Sequence, residues 1–307
     1  MSRFILARLL QAIVSLFVLV TVVFFLVRLT GDPATRMIPP QATEEVAENL
    51  RRAFGLDKPV MVQYGIFLRE AAFSLDLGTS QKFIRPVTDL LKLRIGASLQ
   101  LAVASMAVAL FIALPLGIYS AVRRGSRFDY VARAFSIAGG SLPSFLVGLL
   151  MIRFFAVDLG WFPISGRDEV LSIVLPALTL GWFVSASFMR LTRSSMLEVL
   201  DSEYVKLARI KGVSEVAVIW KHALKNALLP VVTYSTVIFA AIVGGAIVIE
   251  TVFAWPGIGK LLVDAVLQRD FPMIQGTVIL IGAIFIVTNL LTDLLYAFLN
   301  PKIRFAR

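Results

Sequence analysis

Six stretches of this chain are apolar, free of charge but for Asp293 near the end of the last, and long enough to cross a lipid hydrocarbon core, which takes about 20 residues of α-helix. They run from Leu9 to Val27, from Ile95 to Val122, from Ala134 to Ile152 with a continuation past Arg153 to Val157, from Val170 to Met189, from Asn226 to Ile249 and from Gln275 to Phe298. Backbone in lipid must satisfy its own hydrogen bonds, so runs of this kind become helices. The alternation of a β-barrel strand is absent. Composition agrees: only 16% of the 307 residues are charged and mean hydropathy is +0.84, whereas a soluble domain carries about 25% charged residues. A soluble enzyme, a disordered chain and a collagen-like or disulfide scaffold are excluded. The fold class expected is all-α, a polytopic membrane protein with six transmembrane helices.

Basic residues orient the spans. With the N-terminus inside, the inner segments hold Arg3, Arg8, Arg123, Arg124, Arg127, Arg133, Arg190, Arg193, Lys206, Arg209, Lys211, Lys221, Lys225, Lys302, Arg304 and Arg307. Against these stand five acids: Asp129, Glu198, Asp201, Glu203 and Glu215. The inner side then carries the whole net charge of +10, because the rest of the chain is nearly neutral. This accounts for the basic isoelectric point through the lipid bilayer, with no nucleic acid as partner. Both termini are expected in the cytoplasm. The first run is longer than a signal-peptide core and ends on Phe24-Phe25-Leu26-Val27-Arg28, so it reads as a retained anchor.

Three regions follow: residues 1–29 as the N-terminal transmembrane helix, 30–94 as an extracytoplasmic insertion, and 95–307 as a five-helix core. The insertion holds Gly31-Asp32-Pro33, Pro39-Pro40, a polar helical stretch from Thr43 to Phe54, an amphipathic one from Val60 to Phe73, and a turn at Asp76-Leu77-Gly78-Thr79-Ser80. It should form a small ordered cap. Pro143 should kink the third run, with Ser141 and Ser144 satisfying freed backbone groups.

The residues of common chemistries are missing. There is no Cys and one His, His222, beside Lys221. No metal-ligand spacing, nucleophile–base pair or phosphate-binding G-x-x-x-x-G-K-[ST] loop occurs, so no metal, no cofactor and no enzymatic activity is expected. The centres of the spans lack the carboxylates and His that ion-coupled carriers use. Glu250, Asp293 and Arg153 lie near span ends, where snorkelling or structural pairing is expected.

A cytoplasmic loop of about residues 191–226 carries the strongest pattern. Val205, Leu207, Ala208 and Ile210 suit one packed helix. Gly212 fits a C-cap position needing positive φ, and Ser214 can N-cap a second helix from Glu215 to about Asn226, with Val216, Val218, Ile219, Leu224 and Leu228 on its apolar side. Two readings stand side by side: an amphipathic hairpin on the membrane surface, or a docking element for a cytoplasmic partner.

The string Ala208-Arg209-Ile210-Lys211-Gly212, followed by His222-Ala223-Leu224-Lys225-Asn226-Ala227-Leu228-Leu229-Pro230, resembles the membrane permeases of peptide/nickel-type ATP-binding-cassette importers. In particular it resembles the first permease of dipeptide, oligopeptide, glutathione and nickel systems. The likeness covers nearly the whole chain. It includes Phe54-Gly55-Leu56-Asp57-Lys58-Pro59, Leu159-Gly160-Trp161-Phe162-Pro163, Leu175-Pro176-Ala177-Leu178-Thr179-Leu180, Glu250-Thr251-Val252-Phe253-Ala254-Trp255-Pro256-Gly257 and Asn300-Pro301. The general importer motif begins Glu-Ala-Ala; here Lys206 stands at the Glu position and only Ala208 of the pair remains, a departure that peptide-type permeases share.

The resemblance implies an inner-membrane permease that moves peptides or similar small solutes. Its implied partners are a homologous second permease, two ATP-binding subunits and an extracytoplasmic solute-binding protein. Glu203, Tyr204, Ala208, Arg209, Lys211 and Gly212 would couple it to the ATPase. Ala241, Gly244 and Gly245, part of two small-xxx-small pairs in the fifth run, either line the path or pack within the bundle. Trp255, Pro256 and Gly257 are candidates for an outer re-entrant gate. A self-sufficient secondary transporter or channel is the alternative class.

Overall fold

The computed structural model describes residues 2–29, 45, 48–49, 52 and 57–299. Gly31-Asp32-Pro33, Pro39-Pro40, most of the Thr43–Phe54 stretch, Phe54-Gly55-Leu56, Asn300-Pro301 and the basic C-terminal residues Lys302, Arg304 and Arg307 lie outside the described residues. Among those described, five helices are long and apolar enough to cross a bilayer, and a sixth span exists if one sharply bent pair is taken together.

Helix α1 (Ser2–Leu29) opens the chain. The insertion contributes α2 (Val60–Phe73), which lies along α1. The Tyr64 hydroxyl meets the Thr21 hydroxyl at 2.6 Å, Arg28 Nε donates to Gln63 Oε1 at 3.1 Å, and Phe67 stacks on Phe24. The turn expected at 76–80 is present: the Gly78 N–H donates to Asp76 Oδ1 at 2.8 Å, with Gly78 at positive φ. Ser80 is buried, its hydroxyl donating to Asp270.

Helix α3 (Val87–Val122) begins eight residues before the uncharged run, set off by Pro86 at its N-cap. A fixed φ near −65° and a missing N–H cost nothing at a helix start. The third run is not a straight span. Helix α4 (Arg127–Ser141) ends where Leu142 is extended (φ −84°, ψ 132°), and Pro143 caps α5 (Ser144–Met151). With the π-helical turn Ile152–Asp158 that follows, the pair is bent by 100°. A residue preceding proline is driven out of the α region, so Pro143 breaks the run into two helices where the sequence reading placed a kink.

Helix α6 (Val174–Leu200) passes eleven residues beyond the end of its apolar run. Arg190 and Arg193 stay on the helix because both have partners on α4: Arg190 Nη1 donates to Ser136 Oγ at 3.1 Å, and Arg193 pairs with Asp129. Helices α3 and α6 form the centre of the molecule and run in the same direction. A Cβ on Gly181 would lie 2.6 Å from Val108 Cγ1, and one on Gly117 would lie 2.7 Å from Thr192 Cβ. Only glycine permits this contact at two heights, and Leu101, Phe188, Met189 and Leu175 fill the space around it.

After α7 (Glu203–Ile210), one α-turn (Glu215–Ala217) and a π-helical turn (Val218–Ala223) lead without interruption into α8 (Leu224–Gly245). The second hairpin helix is thus the foot of the fifth span, which starts at Glu215. No glycine or proline interrupts Glu215–Leu229, and the π turn absorbs the change in register. The fifth span also ends earlier than its apolar run, at Gly245. Ala246 leaves helical geometry (ψ 20°), and α9 (Ile247–Val252) turns back towards α10 (Ile258–Gln268).

Helix α11 (Phe271–Leu299) closes the chain. It is antiparallel to both α1 and α8. Leu19 and Arg8 of α1 meet Gly282 and Asp293 of α11 in that order, with Arg8 Nε 3.3 Å from Asp293 Oδ2. Thr292 donates to Thr236, while Ile281 packs on Gly244. The start of α1, the end of α11 and the α7 hairpin therefore share one face.

Candidate functional site

The α7 hairpin is built from local rules. Helix α6 stops at Leu200, Asp201 and Ser202 turn the chain, and Glu203 places an acid in the first turn of α7, where the helix dipole favours it. Lys206 pairs with Glu203 at 2.9 Å. At the other end Gly212 has φ +77°. Its N–H donates to Arg209 O at 2.9 Å, and the Val213 N–H donates to Ala208 O at 3.2 Å. These two bonds are a Schellman cap, which uses the freedom of glycine at positive φ, and they form at the residue the sequence pointed to. Ser214 occupies the N-cap position of the next helix, but its side chain makes no capping bond. Glu215, one residue on, has turned to Arg209 instead.

Arg209 is the hub of the hairpin. Its Nε and Nη2 donate to the two Glu215 oxygens at 3.1 and 2.8 Å, and Nη1 donates to Leu200 O at 3.4 Å. The Glu215 carboxylate holds the guanidinium charged, its pKa above the ordinary arginine value. Near the opposite end of α7, Asn226 Nδ2 donates to the Tyr204 hydroxyl at 2.8 Å.

Only one apolar side of α7 is used by this chain. Val205 is fully buried, yet Leu207 and Ile210 are 50% and 82% exposed, and Tyr204 is 45% exposed. Ala208 is half-buried and Lys211 exposed. The expectation that Leu207 and Ile210 pack with Val205 is corrected. At helical spacing Ile210 points away from Val205, and Leu207 is only half covered. On the segment after Gly212, Val218 and Ala223 are buried while Val216 and Trp220 are exposed. The hairpin thus presents Tyr204, Leu207, Ile210, Val216 and Trp220 outward.

Beside it lies a buried ion pair that sequence reasoning did not single out. Asp129 on α4 is 1% exposed. It accepts from Arg193 Nε and Nη2 at 2.8 and 3.0 Å, from the Ser120 hydroxyl at 2.6 Å and from the Gly125 N–H at 3.0 Å. The cluster ties the end of α3, the start of α4 and the second half of α6 together. The available signal was a lone acid among Arg123, Arg124, Arg127 and Arg133.

The candidate outer gate is pinned. Trp255 is buried, and its Nε1–H donates to Ala97 O on α3 at 2.8 Å. The buried Glu250 accepts from the Ser98 hydroxyl at 2.6 Å and from the Lys260 N–H at 2.9 Å, so it caps α10 from outside that helix. Ser98 Oγ in turn accepts from the Ile258 N–H at 2.8 Å. A side chain at Gly257 would collide with the Glu250 carboxylate. Trp255-Pro256-Gly257 is therefore fastened to α3. The structural pairing expected of Asp293 and Arg153 also holds: Asp293 meets Arg8 at 3.3 Å, and Arg153 meets Asp158 at 3.0 Å.

The candidate path residues divide. A side chain at Gly244 would meet Ile281 of α11 at 2.9 Å, so that face packs within the bundle, as does the buried Ala240. Ala241 lies on an exposed face of α8, and Gly245 is the last residue of that helix. Among the described residues no group of three His, Cys, Asp or Glu could hold a metal ion. An apolar cavity of about 610 Å³ lies between α1, α2, α3 and α11, away from the hairpin.

Residues 113–305 match the family described as binding-protein-dependent transport system inner membrane component, and residues 1–87 match the N-terminal family of such membrane components. The glutathione transport system permease protein GsiC of Pectobacterium atrosepticum is 44% identical over 306 residues, 99% of this chain and all of that protein. The GsiC protein of Escherichia coli K12 is 42% identical over the same length and coverage. Among solved structures, an inward-facing MetNI methionine ABC transporter aligns with a TM-score of 0.58 at 19% identity, over 69% of this chain and 97% of that one. An amino acid ABC transporter crystallised with histidines aligns with a TM-score of 0.52 at 15% identity, over 70% and 94%.

Proposed function

Since the chain belongs to the family of binding-protein-dependent transport system inner membrane components, the permeases of ATP-binding-cassette importers, we propose that α7 is the helix by which it receives work from an ATPase subunit. One observation carries this reading. Beyond the spans the chain builds a capped, ion-paired hairpin, yet leaves Leu207, Ile210 and Tyr204 of α7 uncovered. A surface hairpin serving only to lie on lipid has no need of a fixed Schellman turn and an arginine fork. A helix seated in a protein groove needs both apolar anchors and a fixed posture.

On this reading the hairpin face is cytoplasmic, and so are the start of α1 and the end of α11. A homologous second permease completes the path, with Ala241 on the exposed face of α8 contributing to its lining. Two ATP-binding subunits and an extracytoplasmic solute-binding protein complete the importer. The outer hairpin around Trp255-Pro256-Gly257 gates the external mouth by moving as one body with α3. The full-length likeness to glutathione permeases supports a peptide of glutathione's size class as the solute. A self-sufficient ion-coupled carrier is disfavoured by the fate of two acids: Asp129 and Asp293 are each paired with an arginine, so neither is a free proton or sodium site.

The chain has no cysteine, so single introduced thiols report cleanly. Thr79→Cys, on the exposed turn of the insertion, should react with an impermeant maleimide in intact cells. Ile210→Cys should react only once the inner face is opened, and should become protected when the ATPase subunits are co-expressed. Labelling of position 210 in sealed cells would overturn the orientation. Equal labelling with and without the ATPase subunits would overturn the docking assignment.

A further inference from the structure

The Arg209 guanidinium joins the hairpin to two spans at once, and we propose, on the reading of α7 as the docking helix, that Arg209 and Glu215 form a clamp that makes α6, α7 and the foot of α8 move together. Gly212 is the joint between α7 and the fifth span. No other atom lies within 4 Å of where its Cβ would stand, so side-chain packing does not brace the joint. Val205 is the one buried residue of α7. What spans the joint is the fork: two nitrogens of Arg209 on the two oxygens of Glu215, six residues on, with the third nitrogen on the last carbonyl of α6. Tyr204 and Asn226 make the parallel link near the other end of α7.

Arginine suits this place because its planar fork fixes direction as well as distance, which the single ammonium of lysine does not. The pair is partly exposed, Arg209 at 39% and Glu215 at 55%. Exposed ion pairs contribute little to folding, so stability does not explain a three-element link. Transmission does. A push on α7 reaches α8 through Glu215 and α6 through Leu200, and α6 is in turn seated on α3 at Gly117 and Gly181. With the fork removed, α7 can swivel about Gly212 and the push is lost in that rotation. Arg209 and Glu215 are positioning residues that act through α7.

The test uses the complete importer in vesicles and reads solute carried per ATP hydrolysed, a ratio that loss of folded protein alone does not change. Arg209→Gln and Glu215→Gln should each lower that ratio by roughly five- to tenfold, the range of an ordinary coupling free energy. Arg209→Lys should fall between these and the natural protein. The exchanged pair, Arg209→Glu with Glu215→Arg, should exceed either single Gln variant. A normal ratio in both Gln variants would overturn the clamp. So would an exchanged pair no better than the singles, because each residue would then act separately on the ATPase. Gly212→Val is measured alongside: if it uncouples while Arg209→Gln does not, the clamp fails and the docking reading stands; if neither uncouples, both fail.

Discussion

Gly212→Val is expected to abolish solute uptake, and its stimulation of ATP hydrolysis, without preventing the chain from reaching the membrane. At φ +77° glycine is unstrained, whereas a β-branched residue is a severe outlier there. The space around the position is open, so the change acts through the backbone and not through collision. The strain, about 1–3 kcal/mol, is small beside the insertion of several apolar spans. It is large enough to unwind the Schellman turn and release α7 from its posture. In vesicles holding the full assembly, stimulation of hydrolysis by loaded binding protein should vanish while unstimulated hydrolysis continues. Gly212→Ala should be milder, because alanine lacks the branched Cβ. Normal uptake by Gly212→Val would return the hairpin to a surface element with no part in coupling.

The second large effect concerns Asp129. Replacing it with Ala leaves the Arg193 guanidinium, only 20% exposed, without its carboxylate, and removes the acceptor to which the Ser120 hydroxyl and the Gly125 N–H donate. Removing one partner of a buried pair costs about 3–5 kcal/mol. The cost falls where α3, α4 and α6 meet, so heating of the purified protein in detergent should unfold Asp129→Ala well below the natural chain. Removing both charges, with Asp129→Ala and Arg193→Leu together, should recover much of the loss, since an apolar pair leaves no uncompensated charge. If the double variant is as unstable as the single one, the pair is not what joins these helices.

Much of this was legible because membrane helices announce themselves through uncharged length. The runs at Leu9–Val27 and Gln275–Phe298 became α1 and α11 with little adjustment, and Gly212 was found by its place between two helical patterns. The departures share a cause: in the sequence a charged residue looks like the end of a span. Arg190 and Arg193 remain on α6, and Asp89, Lys92 and Arg94 lie on α3, because a paired or interfacial charge does not stop a helix. Pro143 signals a kink in the sequence, but the extended conformation it forces on Leu142 makes a 100° corner. Ser80 sits in a turn of the insertion, yet its hydroxyl is taken by Asp270, distant in sequence. Long-range pairings of this kind, with Glu250–Ser98 and Asp129–Arg193, carry no local signature. They arise only when spans that are far apart in the chain are brought together.

The central claim is that this chain moves solute only as the membrane part of an ATP-driven assembly, and uptake into vesicles tests it directly. The chain is reconstituted with its second permease, ATP-binding subunits and loaded binding protein, and labelled glutathione is followed as probe, alongside vesicles holding this chain alone. The account predicts uptake that requires ATP, the ATP-binding subunits and the binding protein together, with none from the chain alone under a proton or sodium gradient. Gradient-driven uptake by the chain alone would contradict it and identify a self-sufficient carrier.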